Sequence, residues 1–136
     1  MKGEIIMEYS RKIFGYECDV YGHLNNANYL HIYEEARADA LEKIDLSVQK
    51  LIEMDLQIYI THISLQYKKG LPIGSKIKIE STIIKSTRAS SIWLQKVYNA
   101  DGELCNQAEV KGVFVRDGKP LRIDKDLYEK LINSMK

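Results

Sequence analysis

The apolar positions of the chain change period once, and that change divides it into a helical part and a strand-rich part. From Met7 to Tyr16 apolar residues alternate, with Met7, Tyr9 and Ile13 on one parity and Phe14 and Tyr16 on the other, which predicts a strand. A polar stretch with Gly22 and two asparagines, Glu17 to Asn26, reads as a turn. Beyond it Tyr29, Tyr33, Ala36 and Ala40 recur at helical spacing, with Leu30 and Leu41 widening the stripe, and this helix should end near Ile44. Asn25 or Asn26 suits its cap, because a short amide side chain accepts from the free N–H groups of a first turn. A short second helix is expected from Ser47, as cap, to Met54.

Four strand-like runs follow: Leu56–Lys68, Lys76–Ser86, Ser90–Asn99 and Leu104–Arg116. The second sets Ile77, Ile79 and Ile83 against Lys76, Lys78, Glu80 and Thr82. In the first, the apolar parity slips between Ile60 and Ile63, which predicts a bulge or a change of exposed face. Gly70 to Gly74, Thr87 to Ala89 and Asn99 to Gly102 supply the turns. After Gly118-Lys-Pro120, Asp124 can cap a last helix carrying Leu127, Leu131 and Ile132. Short turns favour antiparallel neighbours, and a long apolar helix needs a cover. The expected fold is therefore α+β, one long helix wrapped by a five- or six-stranded antiparallel sheet.

Composition narrows the function classes. At 136 residues the chain is expected to be one domain over its whole length. Its 20 basic and 19 acidic residues nearly cancel, which argues against nucleic-acid binding driven by bulk charge. No apolar run approaches the ~20 residues of a membrane span, and the N-terminus lacks a signal-peptide pattern. Cys18 and Cys105 lie far apart without CxxC spacing, so free thiols in a cytoplasmic setting are expected rather than a disulfide or a zinc site.

The candidate chemistry sits in the turn before the long helix. Asp19 lies where free N–H groups and the positive end of the helix dipole can stabilise a developing oxyanion. A thioester carbonyl there would be polarised by a backbone N–H, that of Asn26 being best placed in sequence. Asp19 would attack the carbonyl carbon or activate a water beside it. His23, four residues on, could orient Asp19, bind substrate or protonate the departing thiolate. The same residue types are common in turns, and Asp19 as the acceptor of a simple Asx turn stays open.

The run Tyr16-Glu-Cys-Asp19-Val-Tyr-Gly22-His23-Leu-Asn25-Asn26-Ala-Asn28-Tyr29, followed by Tyr33-Glu-Glu-Ala-Arg37, resembles the signature of the 4-hydroxybenzoyl-CoA thioesterase-like hot-dog family. The likeness extends over nearly the whole chain. It implies the hot-dog fold, hydrolysis of an acyl-CoA or acyl-carrier-protein thioester without metal or redox cofactor, and assembly as a homodimer or homotetramer. It also implies Asp19 as the catalytic carboxylate and the Asn26 backbone as oxyanion donor. The Gly22-His-Leu-Asn-Asn26 stretch is similar to a plant acyl-carrier-protein thioesterase motif with an active-site His four after the Asp, which supports His23. That motif has an Asn midway between them where this chain has Tyr21. Family members place basic and hydroxyl groups on the coenzyme A phosphates at the turn that here reads Lys85 to Ser91, which singles out Arg88 and Ser90, acting across a subunit interface. A solvated hairpin is the competing reading of that turn.

Other signals are weaker. Cys18 as a nucleophile would be opposed by the carboxylate next to it. Glu34 and Glu35 are expected to pair along the helix surface with residues such as Arg37. Tyr59, His62, Tyr67 and Trp93 could line an acyl pocket, or serve core and interface. Two rivals remain: a hot-dog hydratase, whose usual Asp/His spacing is missing here, and a non-catalytic acyl-CoA sensor.

Overall fold

The structure, a computed structural model, describes residues 6–134. Strand β1 (Met7–Lys12) leads through a 3-10 turn (Gly15–Glu17) to the long helix α1 (Asn28–Lys43) and the short α2 (Val48–Glu53). Strands β2 (Gln57–Tyr67), β3 (Lys76–Ser86), β4 (Ser90–Tyr98) and β5 (Leu104–Arg116) follow, then the two-residue β6 (Lys119–Pro120) and helix α3 (Lys125–Ser134). The sheet runs β1-β3-β4-β5-β2 with every pairing antiparallel, and β6 pairs with β5. The expected parity slip appears as a register shift between Ile60 and His62.

Helix α1 buries Tyr29, Ile32, Tyr33, Ala36, Arg37 and Ala40, a stripe spaced three and four residues apart. Leu30, expected on that stripe, lies about 100° round the helix from Tyr29 and is exposed. The stripe packs on Ile77, Ile79, Trp93, Val97, Ala108 and Val110 of the sheet. Polar side chains fix its position. The Tyr33 hydroxyl donates to Asn106 Oδ1 at 2.6 Å, Arg37 donates to Gln95 Oε1 at 2.9 Å, and Gln95 Nε2 donates to the Tyr33 carbonyl and Ser81 Oγ. Burial raises the Tyr33 phenol well above its ordinary value and lowers the Arg37 guanidinium.

A second apolar cluster lies at the other end of the barrel-like curl. There Leu51 of α2, Leu56, Phe114 and Ile123 are buried, flanked by Leu127, Tyr128 and Leu131 of α3. Two caps form as expected, Ser47 accepting from the Lys50 N–H and Asp124 from the Leu127 N–H. Helix α1 is not capped by Asn25 or Asn26: its N-cap is Ala27, without a side-chain bond, and Asn25 Oδ1 instead accepts the Ala27 N–H in the turn that precedes the helix. Beyond Lys12 the first strand gives way earlier than expected. Ile13 is fully buried, and the chain turns at Gly15, whose Cα leaves room for Ile73.

Candidate active site

A closed loop joins the 3-10 turn to α1, and its hydrogen bonds explain its shape. The Asp19 N–H donates to the His23 carbonyl at 2.9 Å, the Gly22 N–H donates to the Asp19 carbonyl, and Gly22 takes a φ of +78° that a glycine adopts without strain. Cys18 bridges Leu24, and His23 bridges Pro72 of the β2–β3 connection. Loop residues Val20 and Tyr21 are 93% and 81% exposed, so the loop is held at its base and open at its tip.

Asp19 is half-buried. Its Oδ1 accepts the Tyr21 N–H at 2.9 Å and the His23 N–H at 3.4 Å, which is the Asx-turn geometry. Among the described residues Oδ2 accepts no hydrogen bond. The turn therefore orients the carboxylate and leaves one oxygen for chemistry. The His23 ring makes no hydrogen bond to Asp19; it lies on Gly70, where a Cβ would come within 3.2 Å of Cδ2. Asp19 thus meets His23 through the His23 backbone, whose N–H and carbonyl both bond it, and not through the imidazole ring.

The start of α1 supplies the donor. Asn25 N–H donates to the Glu17 carbonyl, Ala27 N–H to Asn25 Oδ1 and Asn28 N–H to the Asn25 carbonyl. The Asn26 N–H in the middle of this run donates to nothing among the described residues. A free amide at a helix N-terminus is a preformed oxyanion donor. The Asn26 carbonyl accepts from the Tyr67 hydroxyl at 2.9 Å, and Tyr67 stacks edge-on against Tyr29. The end of β2 therefore sets the orientation of this peptide.

A buried ion network anchors the loop from below and was not visible in the sequence. Arg11 of β1 bonds both oxygens of Glu35 and, through Nη2, Glu17; Glu35 also accepts from Tyr9. Glu17 is 5% exposed and accepts the Phe14 N–H at 2.9 Å. Its carbonyl receives both the Asn25 N–H and Asn28 Nδ2. This corrects the expectation for α1: Glu35 pairs with β1, and Arg37 turns inward to Gln95 because its position falls on the buried stripe. Partial burial, then the Asp19 and Glu17 carboxylates, raise the Cys18 thiol, which disfavours a nucleophilic thiolate there.

Arg88 and Ser90 lie at the β3–β4 turn, the far end of an eleven-residue strand from the His23–Pro72 bridge, roughly 35 Å away along the strand. Arg88 Nε donates to the Ile123 carbonyl at 2.7 Å, and Ser90 shares its hydroxyl with Thr87. Within one chain these two residues do not join Asp19, His23 and Asn26. Among the described residues no group of three or more His, Cys, Asp or Glu could hold a metal ion. No described helix is long and apolar enough to cross a membrane.

Residues 15–131 match the model of a family described as the thioesterase-like superfamily. A long-chain acyl-CoA thioesterase, FadM, of Escherichia coli K12 is 30% identical, over 96% of this chain and all of that protein. The crystal structure of YbaW, described as a probable thioesterase from Escherichia coli, is 27% identical with a TM-score of 0.80, covering 96% of this chain and 99% of that one. A DHNA-CoA thioesterase structure from Staphylococcus aureus superposes with a TM-score of 0.87 at 23% identity, covering 93% and 88% of the two chains. The curled sheet around α1 is the hot-dog arrangement shared with these structures.

Proposed function

Because the chain belongs to the thioesterase-like superfamily, we propose that it hydrolyses acyl-CoA thioesters to free acid and thiol, with Asp19 as the reacting carboxylate. The observation that carries this reading is the pairing of an oriented Asp19, one oxygen free, with the unengaged Asn26 amide at the start of the same helix. The thioester oxygen takes the Asn26 N–H, and negative charge builds there as the carbonyl carbon is attacked by Asp19 or by a water it deprotonates. The thiolate departs readily because thiols of this type have a pKa of ~8.5, so strong acid catalysis is not required. The His23 ring makes no hydrogen bond to Asp19, which favours a role toward substrate over one in orienting the carboxylate. Replacing His23 with alanine should lower kcat/KM by less than tenfold; a thiol-release assay giving a loss as large as that of an Asp19 variant would make His23 part of the catalytic pair.

The reading includes assembly through β2. This strand offers an eleven-residue edge with Tyr59, Ile60 and Tyr67 exposed, and a second copy is the occupant that matches its length and apolar character. Two-fold antiparallel pairing brings Gln57–Ile60 of one subunit level with Ser64–Tyr67 of the other, beside Asn26. Ser90, Val113 and Tyr59 share one rung of the sheet. The partner's Arg88 then comes to the same end of the assembly as Asn26, and its remaining guanidinium N–H groups suit a coenzyme A phosphate. Ser90, bonded to Thr87, holds the turn. Replacing Ile60 with aspartate should convert the dimer to monomer in sedimentation and lower activity with it; an unchanged sedimentation coefficient would exclude this edge. A cytoplasmic setting belongs to the same reading and is supported by the two free thiols.

A further inference from the structure

Outside the reacting groups, the loop that carries Asp19 ends in an apolar tip that no described residue covers. Phe14, Tyr16, Val20, Tyr21 and Ile73 are all exposed, Tyr16 at 86% and Ile73 at 58%. They form one patch. The Phe14 and Tyr16 rings stack with centroids 6.2 Å apart, and Ile73 Cδ1 lies 3.1 Å from where a Cβ on the intervening Gly15 would stand. The Ile73 N–H donates to the Gly22 carbonyl, which brings Ile73 beside the end of the loop that carries Val20 and Tyr21. Large apolar side chains scattered singly on a surface need no explanation, but gathered on one projecting tip they mark a docking surface.

Exposed lysines surround the tip. Lys12 lies just before Phe14, Lys68 leads into the Gly70 turn on which the His23 ring rests, and Lys76 follows shortly after Ile73. Among the described residues none of these lysines pairs with a carboxylate. Lys12 and Lys76 stand directly opposite each other in the β1–β3 register, a like-charge pair that disfavours the sheet by itself. The acids nearby are otherwise engaged. Glu17 is buried against Arg11, Glu103 is held by Lys69, Glu8 and Glu80 by Lys78, and Asp19 is half-buried in its own turn.

We propose that this tip docks the protein on the surface of an anionic phospholipid bilayer. Valine, isoleucine and phenylalanine enter the boundary between headgroups and acyl chains, the tyrosines keep their hydroxyls at headgroup level, and the lysines meet lipid phosphates. A fluid layer closes around a projecting tip, whereas a folded partner needs a groove to seat it. A second copy of this chain fits less well, because two-fold contact would set the same uncompensated lysines face to face. Only the tip enters the headgroup region, and no segment needs to span. The proposal goes beyond thioester hydrolysis and does not depend on it; docking presents the Asp19 loop to an amphiphilic substrate held in the bilayer.

The test mixes the intact wild-type protein with vesicles of phosphatidylcholine, alone or with an equal share of phosphatidylglycerol, and measures the bound fraction by flotation. The anionic vesicles should bind saturably at low ionic strength, with an apparent Kd about tenfold or more below that for neutral ones. Tyr16→Ser combined with Val20→Ser should raise that Kd about tenfold or more, since the apolar surface that enters the bilayer is removed. Both side chains project into solvent, so circular dichroism should be unchanged. Lys12→Ala combined with Lys76→Ala should weaken binding to anionic vesicles and flatten its dependence on salt. Absence of binding to anionic vesicles overturns the proposal. So does a folded serine variant that binds as the wild type does, since charge alone would then hold any polyanion. A serine variant that shifts the sedimentation coefficient, with neither protein bound to vesicles, would make the tip a contact between copies and overturn it too. If the serine variant misfolds, the lysine variant and the neutral vesicles still decide. Vesicle binding is read without turnover, so it stands or fails separately from the role of Asp19.

Discussion

Asp19→Asn should lower kcat for acyl-CoA hydrolysis by about 100- to 10,000-fold, the range expected when a positioned acid–base group is removed. The fold should survive, because asparagine keeps an Oδ1 acceptor for the Tyr21 N–H that closes the loop. The variant loses only the negative charge that attacks or deprotonates. Thiol release over a panel of acyl-CoAs, with circular dichroism as control, measures both expectations. The loss should be uniform across chain lengths, since the carboxylate acts on the thioester carbon and not on the acyl tail. A well-folded variant with near-wild-type turnover would remove Asp19 from the mechanism and leave the Asx turn as its whole role.

The largest stability effect is expected at Glu17. Glu17→Ala removes one partner of a buried ion pair and the acceptor of the Phe14 N–H, while Arg11 keeps Glu35. The loss costs about 3 kcal/mol, because Arg11 gives up one of its two carboxylate partners and the Phe14 N–H is left without its acceptor. For a domain of this size that corresponds to a fall in Tm on the order of 10 °C, read by thermal denaturation. Glu17→Gln keeps an acceptor for Phe14 and should lie between the alanine variant and wild type. Activity should fall in the alanine variant as well, since residue 17 also holds Asn25 and Asn28, and with them the Asn26 peptide. A drop of less than 2 °C for Glu17→Ala would mean that the Glu35 contact alone holds Arg11 and the loop.

Much of the fold was legible because its signals are local. The helix stripe, the caps at Ser47 and Asp124, the slip at Ile60 and the turn glycines act over two to four residues, and each reappears in the structure. The loop was legible for the same reason: the Asp19 Oδ1 contact to Tyr21 spans two residues. Leu30 misled because its apolar side chain adjoins the stripe in sequence but not on the helix surface. The hydrogen bonds of Arg11 gave no such signal. Its partners lie 6 and 24 residues away, and only the return of α1 across β1 brings Glu35 to it.

The sequence by itself determined where the period changes from helix to strand and which loop carries Asp19. It also marked the start of α1 as the place for an oxyanion donor. The tertiary structure alone decided that the Asn26 amide is the one left free, that the His23 ring rests on Gly70, and that Arg88 stands at the opposite end of the sheet from Asp19. It also left β2 at an open edge of the sheet. The physical reason is range. Backbone and side-chain preferences act on near neighbours, whereas the curl and register of a sheet bring together residues such as Tyr33 and Asn106, 73 positions apart.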